Sequence, residues 1–227
     1  MENAITAGNV RDVERILQIE GLETGPSAPP YLARAILWRP RSFRREFTPT
    51  DRQISRRNEI TYKMVKLLVE HDADLNRAEE RFHGNTPLMI AIYLRMQNVV
   101  QCLVKQGAST QAFNADSDTP LMYAVWFGGL ETVQLLLDHN AKETINHVRH
   151  DGTTVLHWAS CDEIVKLLLE NGADPTIRNN AGQTPLEQAR EKNWTGKVAV
   201  WEKYMNADGN RESETAPENF SEKQSDR

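Results

Sequence analysis

Apolar residues recur along this chain in a two-part phrase, not at one steady period. The first part is a turn followed by Thr-Pro and a short apolar run. It appears as Gly84-Asn-Thr-Pro-Leu88, Ser117-Asp-Thr-Pro-Leu121, Gly152-Thr-Thr-Val-Leu156 and Gly182-Gln-Thr-Pro-Leu186. The second part places Val, Ile and Leu at helical spacing and closes on Gly-Ala or Asn-Ala, as in Val99–Ala108, Thr132–Ala141 and Ile164–Ala173, with an earlier copy at Met64–Asn76. Thr caps a helix, and Pro is tolerated in the first turn because its missing N–H would have had no partner there. Each first phrase therefore predicts a short helix. The Val-x-x-Leu-Leu spacing predicts a second helix, ended where the residue before Ala takes a positive φ. The threonines 86, 119, 154 and 184 lie 33, 35 and 30 residues apart, which sets the length of the unit. A helix pair this small cannot cover its own apolar face, and stacking on its neighbours covers it.

Several copies in register resemble the ankyrin repeat, whose mark is a Thr-Pro-Leu phrase at a period of about 33. The resemblance covers residues 1–205. It implies an all-α solenoid of about six helix-pair repeats, β-turn fingers on one side, and a concave face used for binding. The units read as an N-terminal capping repeat over 1–25, repeat 2 over 30–76, repeat 3 over 82–114, repeat 4 over 115–147, a short repeat 5 over 150–179 and a C-terminal capping repeat over 180–205. The outer units are atypical, as capping repeats are. Trp194 and Trp201 are expected to close the apolar end of the last one.

Function is expected in the departures from this pattern. Repeat 2 carries an inserted loop over 39–58, with its second helix expected from Ile60 to Glu70. The stretch Arg39–Arg57 holds seven arginines against Glu46 and Asp51, and its prolines argue for a loop over a helix. Arg41, Arg44 and Arg45 are its anion-contact candidates. The other reading is a solvated loop pairing with the acidic body of the protein, and it is the favoured one. Repeat 5 is cut short. Leu121 to Val133 spans 12 residues, whereas Leu156 to Val165 spans 9, so the Gly turn is missing and the corner Trp158–Glu163 is tight. The finger before it, Ala141–His150, is lengthened.

The third departure is aromatic. The resemblance implies that positions two, five and six after the phrase Leu face the concave side. Trp38, Tyr93, Tyr123, Trp126, Phe127 and Trp158 fall on such positions, six of the 16 aromatic residues of the chain. Rings grouped on one surface signal something that covers them. The opposing reading is packing against neighbouring first helices.

Composition narrows the rest. A net charge of −5 argues against a wholly basic nucleic-acid binder, and 39% hydrophobic residues suffice for a core. Early charges leave no signal peptide, no apolar run reaches the length of a membrane span, and two cysteines, Cys102 and Cys161, fit a reducing compartment. The expected location is the cytoplasm, the nucleus or both, and neither nucleic acid nor a membrane is an expected partner. No phosphate loop, paired-His zinc motif or nucleophile elbow is present. His147, His150, His157 and Cys161 are the one group of metal-like ligand types, and no metal or cofactor is expected. An acidic tail over 206–227 is expected to be disordered.

The function expected is a non-catalytic adaptor that binds a partner protein through its aromatic face. Two alternatives stand beside it. The same groove would serve a small-molecule site or an unusual enzyme, with Asp116, Asp118, His150 and Asp151 as its proton-handling residues. The protein would otherwise act as a regulator inside a transcription or signalling complex.

Overall fold

A computed structural model describes residues 1–20, 22, 29–38 and 51–213. Its helices come in pairs: α1 (Glu2–Ala7) with α2 (Val10–Glu20), α3 (Tyr31–Leu37) with α4 (Asp51–Glu70), and α5 (Pro87–Tyr93) with α6 (Gln97–Lys105). The sequence continues with α7 (Pro120–Tyr123) and α8 (Leu130–Leu137), α9 (Val155–Trp158) and α10 (Asp162–Glu170), and α11 (Pro185–Glu191) and α12 (Thr195–Ser213). Odd-numbered helices pack on odd-numbered neighbours, and even-numbered helices likewise, so the molecule is a two-layer stack of six units. Among the described residues there is no strand, and one isolated bridge joins Glu79 and Asn85 in a finger.

The sequence phrase explains the local structure. Thr119 Oγ1 accepts from Met122 N at 3.2 Å and Thr184 Oγ1 from Glu187 N at 3.3 Å, so the expected caps start α7 and α11. Thr86 starts α5 in the same way. Repeat 5 has a different cap: Thr154 N donates to His157 Nδ1 at 3.1 Å. That bond leaves the proton on Nε2, which donates to Gln183 O at 3.1 Å and ties repeat 5 to the finger beyond it. Burial pushes the His157 pKa down, since the charged ring is poorly solvated there.

One core runs the length of the stack, from Ile5 through Leu32, Leu88, Leu121 and Leu156 to Trp201. Each fully buried Leu contributes about 2 kcal/mol from area removed from water. Trp201 is enclosed in the last repeat as expected, while Trp194 is half-buried.

Three expectations are corrected. The second helix of repeat 2 begins at Asp51, not Ile60, so the last part of the anticipated loop 39–58 is helix. No proline falls within Asp51–Glu70, Asp51 sits favourably in the first turn, and Arg and Gln are good helix formers. Residues 39–50, with Arg41, Arg44 and Arg45, lie outside the described residues. The array does not end at residue 205: α12 runs to Ser213, into the anticipated tail. Extending a packed helix costs far less than nucleating one. Residues 214–227 lie outside the described set. The third correction concerns Trp38. It is 8% exposed and packs over Gly8, which turns the chain at φ 67° between α1 and α2. A Cβ on Gly8 would collide with the indole ring, so the two residues are a matched pair in the core.

Candidate functional site

Repeats 3, 4 and 5 bring five of the six anticipated aromatics into a single chain of rings along the first-helix layer. Tyr93, from the end of α5, is 49% exposed and meets Phe127 edge-on at 5.0 Å between centroids. Phe127 lies 5.8 Å from Tyr123 and 6.1 Å from Trp126. Trp126 meets Trp158 edge-on at 5.5 Å. Edge-on and tilted pairs at these separations are the favoured arrangements of aromatic quadrupoles. Tyr123, Trp126, Phe127 and Trp158 are all half-buried. Packing against neighbouring first helices therefore accounts for part of each side chain and leaves the rest open. Trp38 is absent from this wall, being spent in the core.

Local backbone geometry sets the centre of the wall. After α7 the chain winds one wider turn over Ala124–Gly128, closed by Gly129 N donating to Ala124 O at 3.0 Å. Gly129 takes φ 77°. Gly128 lies so close to Thr132 that a Cβ would clash, and Thr132 Oγ1 donates to Gly128 O at 3.0 Å. The Gly-Gly pair thus lets Trp126 and Phe127 stand at the end of a very short helix. Such wide turns recur at functional positions of helices.

The wall is braced from the fingers by a residue that sequence reasoning passed over. Arg149 holds its guanidinium 5.2 Å from the Trp126 ring centre and 5.9 Å from that of Trp158. The same group pairs with the buried Asp118 and lies 3.5 Å from Asp151. A guanidinium on an aromatic face is attracted by the ring quadrupole. The signal was available in the repeat register. Five residues before the phrase threonine, repeats 4 and 6 have Asn114 and Asn179, whereas repeats 3 and 5 have Arg81 and Arg149. Trp158 Nε1 donates to Thr153 Oγ1 at 3.1 Å, whereas Trp126 Nε1 is buried without a hydrogen-bond partner among the described residues.

Tyr123 anchors the other side. Its hydroxyl donates to Asn85 Oδ1 at 3.1 Å and accepts from Asn85 Nδ2 at 2.9 Å. Asn114 Nδ2 donates to Asn85 Oδ1 at 2.8 Å, so a polar network joins two fingers beneath the wall. Burial raises the Tyr123 pKa, offset in part by the Asn85 bond.

Three of the four proton-handling candidates are engaged in building the fingers. Asp118 is buried, accepts from Asn114 Nδ2 at 3.3 Å and pairs with Arg149. His150 Nε2 donates to Ala115 O at 3.2 Å. Asp151 accepts from Thr153 N at 3.0 Å and from the Thr153 hydroxyl at 2.6 Å. Burial alone would push the Asp151 carboxyl up, but the Thr153 bonds and Arg149 outweigh it and hold the pKa low. A carboxylate so held is a poor base. Asp116 is exposed and lies 3.6 Å from His83.

The metal-like residues are likewise apart. His147 stacks on Phe113 at 4.5 Å, and Cys161 donates to Glu163 at 2.6 Å. Among the described residues no group of three or more His, Cys, Asp or Glu is placed to hold a metal ion. No helix among them is long and apolar enough to cross a membrane.

At the C-terminal edge of the wall, Lys197 Nζ donates to Trp158 O at 3.0 Å. The four-residue α9 leaves that carbonyl without its next helical turn, and the following repeat supplies the donor. Lys197 and Lys192 also flank the Trp194 ring, at 4.3 and 4.8 Å from its centre.

A family model described as ankyrin repeats, in three copies, matches residues 55–147, and a single-repeat model matches residues 151–180. The mouse B-cell lymphoma 3 protein homolog is 35% identical over 115 residues, which are 49% of this chain and 25% of that protein. Neurogenic locus notch homolog protein 1 of Danio rerio is 34% identical over 126 residues, 54% of this chain and 5% of that protein. The chain thus spans a quarter or less of the length of these relatives. Among solved structures, an ankyrin repeat domain from Acinetobacter baumannii AYE aligns with a TM-score of 0.67 at 22% identity, over 88% of this chain and 94% of that one. A chain of the complex between a predatory endopeptidase and an immunity protein of Bdellovibrio bacteriovorus aligns with the same score and identity, over 89% and 96%. At that identity the likeness shows the fold.

Proposed function

This chain belongs to the ankyrin-repeat family, whose repeats are generally protein–protein interaction modules, and on that premise we propose that it is a non-catalytic adaptor that binds a partner protein through the aromatic wall of repeats 3 to 5. One observation carries the reading: five rings from three successive repeats touch in an unbroken row, and Tyr93 at its end is half exposed. Contiguous rings at an open surface supply the large, rigid, low-entropy contact area from which interface hot spots are made. Arg149 and the Tyr123 network fix the rings before any partner arrives, so little ordering cost falls on binding. The partner is expected within the cytoplasm or nucleus, and a transcription or signalling complex is the narrower form of the same proposal.

The small-molecule or enzymatic reading rests on the same wall and is weaker. It needs free acid–base groups at the rim, and Asp118, His150 and Asp151 are bonded into the fingers.

The experiment is a cross-linked capture from the protein's own cells with the whole chain and with a Trp126→Ala/Trp158→Ala variant. Melting curves and extraction of bound small molecules run alongside. A protein held by the unmodified chain and lost from a still-folded variant supports the adaptor. A co-purifying metabolite lost with the variant, and no protein, overturns it.

A further inference from the structure

The carboxylates and cations around the aromatic wall are unequally used. On the carboxylate side, Asp118 and Asp151 serve Arg149, Asp116 faces His83, Glu79 lies 3.6 Å from Arg34, and Glu187 pairs with Arg178. On the cation side several charges are left over. Arg77 and Arg81, on the finger before Tyr93, have no carboxylate partner among the described residues. They line a hollow of about 540 Å³ together with Arg34, Glu79 and Glu80. At the other edge, Lys192 and Lys197 share one face-bound neighbour, Trp194, and neither has a carboxylate partner among the described residues. Lys197 spends one proton on Trp158 O and is half-buried. Burial and the neighbouring Lys192 both push its pKa down, the mark of a cation short of an anion. Against these four cations stand the exposed Glu80 and Glu191.

We infer that the aromatic wall docks an acidic, aromatic-anchored peptide segment of a partner protein, its apolar side chains lying on Tyr93, Phe127 and Trp126 and its carboxylates meeting Lys192 and Lys197 at one edge and Arg77 and Arg81 at the other. The inference rests on the proposed adaptor reading and adds the chemistry of what binds. The reasoning is one of complementarity. Apolar area at the centre of an interface supplies affinity, while rim charges steer encounter and fix register. A basic segment would meet these four cations and find most of the nearby carboxylates already paired, with Glu80 and Glu191 the exceptions. A like-charge juxtaposition of that kind is how a surface rejects the wrong partner.

The test uses the whole chain as bait for a displayed library of random peptides, followed by affinity measurements on the recovered sequences at low and high salt. Recovered peptides are expected to be rich in Asp and Glu beside Phe, Trp or Leu. A Lys192→Gln/Lys197→Gln variant keeps an N–H donor for Trp158 O but removes both charges. It is expected to bind such a peptide about tenfold more weakly at low salt, to show a flatter salt dependence, and to melt as the unmodified chain does. Arg77→Gln/Arg81→Gln is expected to act likewise at the other edge. Recovery of neutral or basic peptides, bound equally by the Gln variants yet lost in Trp126→Ala, overturns this inference and leaves the adaptor reading standing. Peptides indifferent to Trp126→Ala overturn both. A single-stranded thymidine oligonucleotide serves as an anionic control. If it binds through the four cations as tightly as the peptides and ignores Trp126→Ala, the surface is an electrostatic one and the inference falls.

Discussion

Repeats 4 and 5 are the same helix pair with and without a turn. Both start from a Thr-Leu phrase, bury Leu121 or Leu156, and set a second helix on Val133 or Val165. Repeat 4 takes 12 residues between those Leu and Val positions, and repeat 5 takes 9. The cores are equivalent, and the faces differ. In repeat 4 the extra residues wind the wide turn that presents Trp126 and Phe127. In repeat 5 the first helix stops at Trp158, whose side chain is held by Thr153 and whose carbonyl is held by Lys197 of the next repeat. Core packing therefore tolerates a three-residue change in the connection, and the change is expressed entirely in what the inner face displays.

The largest expected effect tests the equivalence of the cores. Leu121→Ala and Leu156→Ala should each cost about 2–5 kcal/mol in urea unfolding. Costs differing by more than half of that range would break the comparison. Next, Arg149→Leu strands the buried Asp118 and frees both indoles, for a loss of about 2 kcal/mol. The coupling of the Trp126–Trp158 pair, read by far-ultraviolet circular dichroism, should fall with it. An unchanged spectrum would show that the rings hold themselves. Smaller again, Lys197→Met leaves Trp158 O without its donor and should cost about 1 kcal/mol. Hydrogen exchange should locate that loss in α9, with α7 unaffected. The smallest effect is a dependence on pH. His157 is held neutral by burial, so its stabilisation is present above the unfolded pKa near 6.5 and fades as pH falls below it. Repeat 4 has Met122 at that place. Protection against exchange, corrected for the intrinsic rate at each pH, should fall in α9 on acidification more than in α7, and His157→Met should abolish the difference.

Much of this was legible in the chain. The Thr caps, the helix pairs and the tight corner of repeat 5 follow from residue chemistry acting over three or four positions, which sequence displays directly. Five wall residues followed from register read together with the family resemblance. Trp38 did not, because the register says which way a side chain points and is silent on what meets it; here a positive-φ glycine from the previous repeat lets the ring sink onto the chain. Arg149 was visible in register as an arginine where repeats 4 and 6 have Asn, but its contact with Trp126 and its pairing with Asp118 come from the preceding repeat, at a separation of 31 residues for the latter. Lys197 is harder still, since its target is a backbone carbonyl 39 residues away that is orphaned only because α9 is short.

That last bond bears on how such a molecule is divided or rearranged. A repeat array invites treatment as beads that can be trimmed, duplicated or exchanged. Here Trp158 belongs to one bead, the ammonium that steadies it to the next, and the guanidinium against it to the finger entering its own. A shortened version ending at Gly182 would retain every ring of the wall and lose a brace under its last member. Lineages that gain or lose a terminal unit would thus alter the wall's support without touching one of its rings.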